Sequence, residues 1–520
     1  DKSFGLHNIS ALLGHENYLW SSNYTQAMNT NMAVPDIFVL GNFLTNSYTT
    51  GYNDEDKTES YLARARYNYD EKYFVEASWR RDGSSRFHKD NRWGNFYSFG
   101  AAWNMKKEDW LKDVEWLDFL KVRASYGEVG NNAGSGLYGY MSLYEIDKNG
   151  GNTALLKASL KAYDVKWETT QTIDFGVEAT FFKRLNVSLT YFNKNSKDLL
   201  FDVRLPMSTG GWSHGDAYSN MTQLMNIGKI MNRGFEFAID GDIVKTKDWK
   251  WNLGLEGTLM KNEVKTLPNH EDILNGLQKY SEGHSIYEWF TYHYEGVDQL
   301  TGTALYTLDP DQKADCEAGG ALVTINGVDY TSQVAFAKKD WCGSALPDIY
   351  GSIRSSLAWK DLSLDVLFTY SLGGKAYDGT YQSLMGVSES GAAGNSMHKD
   401  ILNSWMAAPN GMTETSADRL AANAIPRLDF DSSSYLNATS DRWLTSASYL
   451  VCKNINLSYS LPNYLIAPLN LERVTLNAGV ENLFTITSRQ GLNPQYNFKG
   501  GYDDTYVTAR VWNIGLKVRF

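Results

Sequence analysis

The sequence predicts an all-β fold, a transmembrane antiparallel β-barrel, and three observations predict it. Apolar and polar residues alternate with period two in segment after segment. The composition is aromatic and poor in proline, with 33 Tyr, 16 Trp and 22 Phe against 10 Pro. Aromatic side chains suit a pleated surface, and proline cannot donate to its ladder. Short turns also alternate with long connections along the chain. Two rival classes drop out. A hydrophobic share of 42% with 21% charged residues excludes disorder. Mean hydropathy is -0.41, and no stretch approaches the roughly 18 apolar residues a membrane helix needs. Barrel strands escape that test, because lipid-facing and lumen-facing residues average out in any window.

The alternation is explicit along the chain. Trp512, Ile514, Leu516, Val518 and Phe520 share a face opposite Asn513, Gly515, Lys517 and Arg519. Leu362, Leu364, Val366, Phe368 and Tyr370 oppose Ser363, Asp365, Thr369 and Ser371. Ile173, Phe175, Val177, Ala179 and Phe181 oppose Thr172, Asp174, Gly176, Glu178 and Thr180. A soluble sandwich would alternate too. Here, however, Tyr and Trp gather near strand ends, as aromatic girdles at a bilayer surface require, and charge persists in mid-strand at Arg64, Arg66 and Glu178.

Tight turns are expected at Tyr69–Lys72, Phe182–Leu185, Val244–Asp248 and Trp359–Leu362, and long irregular segments at 20–56, 129–165, 201–221, 266–346, 377–442 and 487–503. The short turns belong on the periplasmic side and the long loops outside. About fourteen membrane strands follow: 5–19, 57–69, 71–86, 93–105, 116–128, 166–182, 184–200, 222–242, 248–265, 347–360, 361–376, 443–460, 469–486 and 504–520. Residues 283–307 read either as a further hairpin through the wall or as an external lobe, the lobe being preferred. Short helices are expected at 107–113, 397–406 and 462–467. Lys453 falls on the apolar face of its strand, which calls for a bulge.

Several phrases then resemble one family, the SusC/RagA-type TonB-dependent outer-membrane transporters. They are Arg80-Arg81-Asp82-Gly83-Ser84-Ser85-Arg86-Phe87, Leu120 to Asn131 (LKVRASYGEVGN), Trp167-Glu168-Thr169-Thr170, Asp198-Leu199-Leu200, Asn226-Ile227-Gly228-Lys229 and Asn232-Arg233-Gly234-Phe235-Glu236. Asn454-Ile455-Asn456-Leu457-Ser458-Tyr459, Val480-Glu481-Asn482-Leu483-Phe484 and the terminal Phe520 complete the series. Each phrase is weak alone, but together they run in the family's order from about Gly14 to Phe520. The resemblance implies a signal peptide, a small β-sandwich extension, a TonB box, a plug and a barrel of about 22 strands. Residues 1–520 correspond to the C-terminal portion of that barrel. The plug, the TonB box and the first strands are expected from another polypeptide, most simply the N-terminal half of the same protein.

Enzymatic motifs are absent. The eight histidines (His7, His15, His88, His214, His270, His284, His293 and His398) form no zinc-protease pattern, and His15-Glu16 lacks the second His. No phosphate-cradling loop or nucleophile elbow is present. A non-enzyme is expected, and a net charge of -11 argues against a nucleic-acid partner. The candidate substrate-binding residues are the loop aromatics Trp212, Tyr218, Trp289, Tyr292, Tyr294, Tyr377 and Tyr381, beside Tyr287. They stack either on a ligand or on one another. Arg64, Arg66, Arg80, Arg81 and Arg86 are expected to face the lumen, to steer an anionic substrate or to pair with carboxylates of the plug. No cofactor is required. Asp309, Asp311 and Asp315, with Glu317 following, form a candidate structural Ca²⁺ or Mg²⁺ loop, or a solvated acidic one, since Ala314 stands where an EF-hand needs glycine. Cys316 and Cys342 flank a Gly-rich stretch in the longest external segment, so a disulfide is expected there, with Cys452 free. The competing arrangement leaves all three thiols reduced and buried.

The resemblance implies TonB-dependent import of oligomeric nutrients, glycans or peptides, across the bacterial outer membrane. It also implies a SusD-like surface lipoprotein as lid and the TonB complex as motor, with membrane lipid around the wall. The large extracellular loops 266–346 and 377–442 suit a docking platform. A passive diffusion porin and a structural or adhesive barrel are the alternatives from other classes.

Overall fold

The computed structural model describes all residues except 158, 206–207, 209–221, 388–395, 430–432, 489–492, 496–500 and 503–506. Among the described residues, fourteen strands of nine or more residues follow the order expected from the sequence. The chain forms two compact units. The first comprises Asp1–Glu178, Tyr191–Asn232 and Lys265–Asn269, the second Ala179–Thr190, Arg233–Val264 and His270–Phe520. The strands Glu168–Phe181, Leu185–Lys197 and Lys229–Lys245 contribute residues to both.

In the first unit the strands His7–Met32, Phe43–Tyr69, Tyr73–Ser84, Trp93–Asn104 and Leu117–Asn131 form an antiparallel meander, each hydrogen-bonded to its sequence neighbour. The turn between Tyr69 and Tyr73 holds Asp70 at φ 53° and Glu71 at φ 47°. That left-handed pair matches the twist of a hairpin, although neither residue is the usual Asn or Gly. The Asn68 side chain compensates by accepting the Glu71 amide at 2.7 Å. Register then lines up Tyr69, Tyr73 and Trp103 in a row, their rings stacked with centroids 6.4 Å apart. Lys106 closes the adjoining helix, Asp109–Lys112, by donating to the carbonyls of Leu111, Lys112 and Val114.

The second unit repeats the plan. Trp249–Thr266, Ile349–Trp359, Leu362–Leu372, Tyr449–Ser460, Arg473–Thr487 and Val511–Arg519 pair in sequence. Their register stacks Trp249 on Trp359 at 5.7 Å. It also aligns Leu364, Leu457, Ala478 and Ile514 on one face and Ser363, Ser458, Asn477 and Gly515 on the other. The apolar face is bare: Ile514 is 92% and Leu516 64% exposed. A contiguous apolar surface of that extent needs an apolar surround. The bulge expected at Lys453 is present, the register shifting between Cys452 and Asn454.

Four expectations need correction. Residues 20–56 are no irregular loop. The first hairpin continues through them, its strands running 26 and 27 residues and pairing out to Met32 with Phe43. Tyr, Thr and Asn dominate there on both faces, so the ladder persists without amphipathic alternation to announce it. Within 129–165, a second hairpin pairs Tyr144–Asn149 with Asn152–Lys157. The strands expected at 184–200 and 222–242 each break. Leu200–Arg204 and Thr222–Asn226 form their own ribbon, leaving the wall at Asp198 (φ 54°) and Gly228 (φ 110°). A Cβ at Gly228 would also press the Phe201 ring at 3.1 Å.

Residues 283–307 form a lobe and not a wall hairpin. Glu288–Tyr292 pairs with Lys339–Ser344, and Tyr294–Asp298 with Thr303–Thr307. The short helical turns fall at Asp109–Lys112, Lys399–Asn403 and Asn463–Ile466.

A small core sits at the far end of the first meander, where Phe87, Phe96, Val165, Trp167 and Leu224 are buried together. It gives the phrase from Asp82 to Phe87 a structural meaning: Ser84 and Phe87 are fully buried, and Arg86 reaches back to Asp56. Gly94 and Gly130 flank the Phe96 ring so closely that an added Cβ would lie 2.6 and 2.1 Å from its Cζ. Gly130→Val is therefore expected to destabilise the barrel by about 1–3 kcal/mol, read as a lower midpoint in urea unfolding of detergent-solubilised protein. Combined with Phe96→Ala it should cost less than the sum of the two single changes. Full additivity would place the strain elsewhere.

Candidate functional site: the polar face and the loop lobe

Two regions carry chemistry. The first is the polar face of the first unit. Arg64, Arg66 and Arg80 share it, opposite Ser78, Glu76 and Leu62 respectively. Arg66 pairs with Glu76 at 2.7 Å. Arg80 holds Asp82 at 2.7 Å and reaches Ser60 and Glu16 at 3.1 and 3.4 Å. Arg86, beyond the strand end, donates through Nε and Nη2 to Asp56 Oδ2 at 3.1 and 2.7 Å. Arg123 adds Glu178 at 3.2 Å. A cleft of about 460 Å³ opens on this face, lined by Ser10, Arg66, Phe74, Glu76, Arg123 and Ser125.

Arg81 corrects the expectation that all five arginines face inward. Adjacent strand residues point to opposite faces, so Arg81 lies with Tyr61 and Asn95. Its guanidinium sits 5.1 Å from the Trp93 ring centroid.

The second region is the lobe. One sheet joins Ile273–Asn275, Gln278–Tyr280, Glu288–Tyr292 and Lys339–Ser344. Another joins Leu322–Ile325, Val328–Thr331, Thr303–Thr307, Tyr294–Asp298 and Leu420–Ala421. The aromatics expected to meet a ligand fill the lobe instead. Trp289 and Tyr377 are buried with Cys342, Met385, Ile401 and Trp443, and Trp289 Nε1 donates to the Lys375 carbonyl at 3.0 Å. Tyr381 packs edge-on against Trp443 and donates to Asp400 at 2.9 Å. Tyr294 and Tyr292 lean on a neighbouring cluster built around Ala304, Tyr306 and Leu436, with Lys339 Nζ 4.9 Å from the Tyr292 ring centroid. Burial pushes the Tyr294 and Tyr377 hydroxyls up to about 12. Trp289 and Tyr377, 4% and 8% exposed, have no open face on which a sugar or peptide could stack. Trp212 and Tyr218 lie outside the described residues.

The expected disulfide is not formed: all three cysteines are free and buried. Cys316 lies in the helix Lys313–Ala318 against Leu308 and Ala321, whereas Cys342 lies in a strand of the Trp289 cluster. The two thiols belong to separate cores. Among the described residues, Asp309, Asp311 and Asp315 do not converge as one ligand group. Asp309 instead caps the turn Pro310–Gln312, its carboxylate accepting the Asp311 amide at 3.1 Å, and Asp315 sits in the helix that follows.

Sequence reasoning missed the ion pair that closes the lobe. Arg419 donates to both oxygens of Asp298 at 2.9 Å, and the Leu300 amide and Thr301 hydroxyl complete the shell. Asp298 is 1% exposed. Burial works to raise its carboxyl, but the Arg419 fork and the Leu300 amide more than offset that and hold it below the ordinary carboxylate range. Nothing in the sequence links positions so far apart.

The TonB dependent receptor-like, β-barrel family model matches residues 2–483, and the chain belongs to that family. It is 29% identical to TonB-dependent receptor P3 of Formosa agariphila, covering 100% of this chain and 51% of that protein. It is 28% identical to TonB-dependent receptor SusC of Bacteroides thetaiotaomicron, covering 91% of this chain and 44% of that protein. A chain of the RagAB peptide transporter shares the fold, with a TM-score of 0.77 and 23% identity over 99% of this chain and 54% of that one. The chain thus spans about half the length of the curated relatives it matches. It is an outer-membrane β-barrel protein, its bare apolar face turned to lipid.

The Asp298 linkage has a definite sign. A carboxyl held low in the folded state stabilises it above the unfolded value of about 3.9, and that contribution is lost as pH falls through the folded value. Limited proteolysis of the lobe should therefore accelerate in acid below about pH 4. Asp298→Asn should loosen the lobe at neutral pH by roughly 3–5 kcal/mol, because it leaves the Arg419 charge buried without a partner. An Asp298→Asn lobe as resistant to protease as the parent at pH 7 would contradict this.

Proposed function

We propose that this chain supplies the C-terminal wall and the substrate-facing lobe of a TonB-dependent importer of oligomeric nutrients, glycans or peptides, working with a SusD-like surface lipoprotein as lid. The observation that carries the reading is the lobe itself. Its residues are spent on two sheets and several small cores, a platform too elaborate for a passive pore and suited to docking a partner. The relatives named SusC and RagAB support it, RagAB being described as a peptide transporter.

The polar face supplies the complementary half of the proposal. Arg66, Arg80 and Arg86 are each paired with a carboxylate of the same wall, Glu76, Asp82 and Asp56 respectively. A lumen charged but internally paired presents hydrogen-bonding groups to a plug or passing substrate without holding either by uncompensated charge. The remaining strands and the plug come, in this proposal, from the rest of the same polypeptide. Among the described residues the outer side of Val511–Arg519 meets no strand, and an open edge has no solvent to pair with in hydrocarbon.

The test is co-purification. Tagged full-length protein extracted from outer membranes in mild detergent should bring down one surface lipoprotein in near-equal amount. Its deletion strain should lose uptake of one class of oligosaccharide or peptide. Recovery of the barrel alone, with small-solute diffusion through it unaffected by collapse of the proton gradient, would replace the importer with a porin.

A further inference from the structure

We propose that His293, Cys342 and Asp441 form a zinc-class divalent metal site that staples the lobe together. One ligand atom from each lies within 4.8 Å of the other two. His293 stands between the strands Glu288–Tyr292 and Tyr294–Asp298, Cys342 lies in Lys339–Ser344, and Asp441 opens the turn Asp441–Trp443. Three segments distant in sequence therefore converge on one point.

Each ligand is already aimed. His293 Nδ1 is hydrogen-bonded to Asp441 Oδ2. The other oxygen, Asp441 Oδ1, accepts the Tyr294 amide at 2.8 Å, which fixes the carboxylate and leaves Oδ2 for a second partner. The His293 backbone is anchored by its carbonyl, which accepts the Thr307 amide at 3.0 Å. Cys342 is buried, its Sγ 3.3 Å from the Asp340 carbonyl oxygen, and that strand is registered against Thr291 and Phe290. His293 itself is half exposed, so an ion and a water ligand can enter from solvent.

The donor set selects the ion. A thiolate, an imidazole and a carboxylate are the ligands of borderline Zn²⁺, whereas Ca²⁺ and Mg²⁺ require oxygen throughout. Three protein ligands leave a fourth tetrahedral position for water. Binding breaks the Cys342 S–H bond and the His293 Nδ1–H bond that holds Asp441, the imidazole proton moving to Nε2 and the thiol proton to solvent, while metal–sulfur, metal–nitrogen and metal–oxygen bonds form with no change of oxidation state. A nucleophilic Cys–His–Asp arrangement fits worse. The Cys342 thiol is buried with its Sγ 3.3 Å from the Asp340 carbonyl oxygen, whereas a nucleophilic thiol must be open to its substrate.

The experiment uses the full-length transporter in detergent, stripped with chelator and titrated with Zn²⁺ or Co²⁺ alone. Equilibrium dialysis with elemental analysis should find one tightly held Zn²⁺ per chain, lost in His293→Ala and in Cys342→Ser. Co²⁺ should give a thiolate-to-metal charge-transfer absorption in the parent protein, retained in Cys316→Ser and Cys452→Ser and absent in Cys342→Ser. Zinc stoichiometry unchanged by both ligand substitutions overturns the site. So does a parent protein that shows no such absorption with Co²⁺, a result independent of whether any variant folds.

Discussion

Every backbone amide and carbonyl in hydrocarbon must find its partner in an adjacent strand, because no water is present to take its place. The rest of the wall follows from that constraint. Ladders run without a break from Tyr73 to Ser84 against the preceding strand and from Ile349 to Trp359 against the following one. Where the ladder slips, at Lys453, the bulge keeps Cys452 and Asn454 in their own pairs and lets the Lys453 ammonium reach Gln495 on the polar side at 3.3 Å. A charge that simple alternation would have pointed at lipid is thus withdrawn. The tight turns obey the same requirement. Asp70 and Glu71 accept a left-handed backbone because that geometry returns the strand in register, and the Asn68 side chain satisfies an amide the turn would strand.

In the lobe burial takes over as the organising force. The lobe makes its own interior from Trp289, Tyr377, Trp443 and Tyr306. Their polar atoms are all placed: Trp289 and Trp443 donate to backbone carbonyls, Tyr306 donates to the Tyr435 carbonyl, and Tyr377 donates to Gln382. Aromatic side chains bring large buried area at low entropic cost. That is why a loop-rich segment uses them as scaffolding, and why the same residues are poor candidates for touching a ligand.

The division explains what is legible in the sequence. The wall is encoded by neighbours two residues apart, so the strand order, the turn at Trp359–Leu362 and the bulge at Lys453 can all be read from the residues alone. Period two says nothing once both faces are wet, and the paired ribbon from Ser21 to Met32 reads as a loop. Alternation itself, followed strictly, separates Arg80 from Arg81. Grouping the two by their shared phrase overrides the stronger signal. In the lobe the decisive partners are far apart: Arg419 for Asp298, Lys375 for Trp289, Asp441 for His293. Composition marks the lobe as aromatic and acidic but cannot distinguish an exposed ring from a buried one, or a capping carboxylate such as Asp309 from a metal ligand.

Two coding schemes in one chain have a functional corollary. A wall residue is constrained mainly by parity, so Leu364 or Ile514 exchanges for another apolar side chain while the ladder stands. A lobe residue is constrained by a particular partner. Asp298 needs a fork-shaped donor from Arg419, and Tyr294 needs both the Ala424 carbonyl for its hydroxyl and the Asp441 carboxylate for its amide. Specific partners define one surface shape, whereas parity defines only a face. In the importer proposed above, recognition by shape therefore falls to the lobe, and the wall adds the paired charges of its polar face.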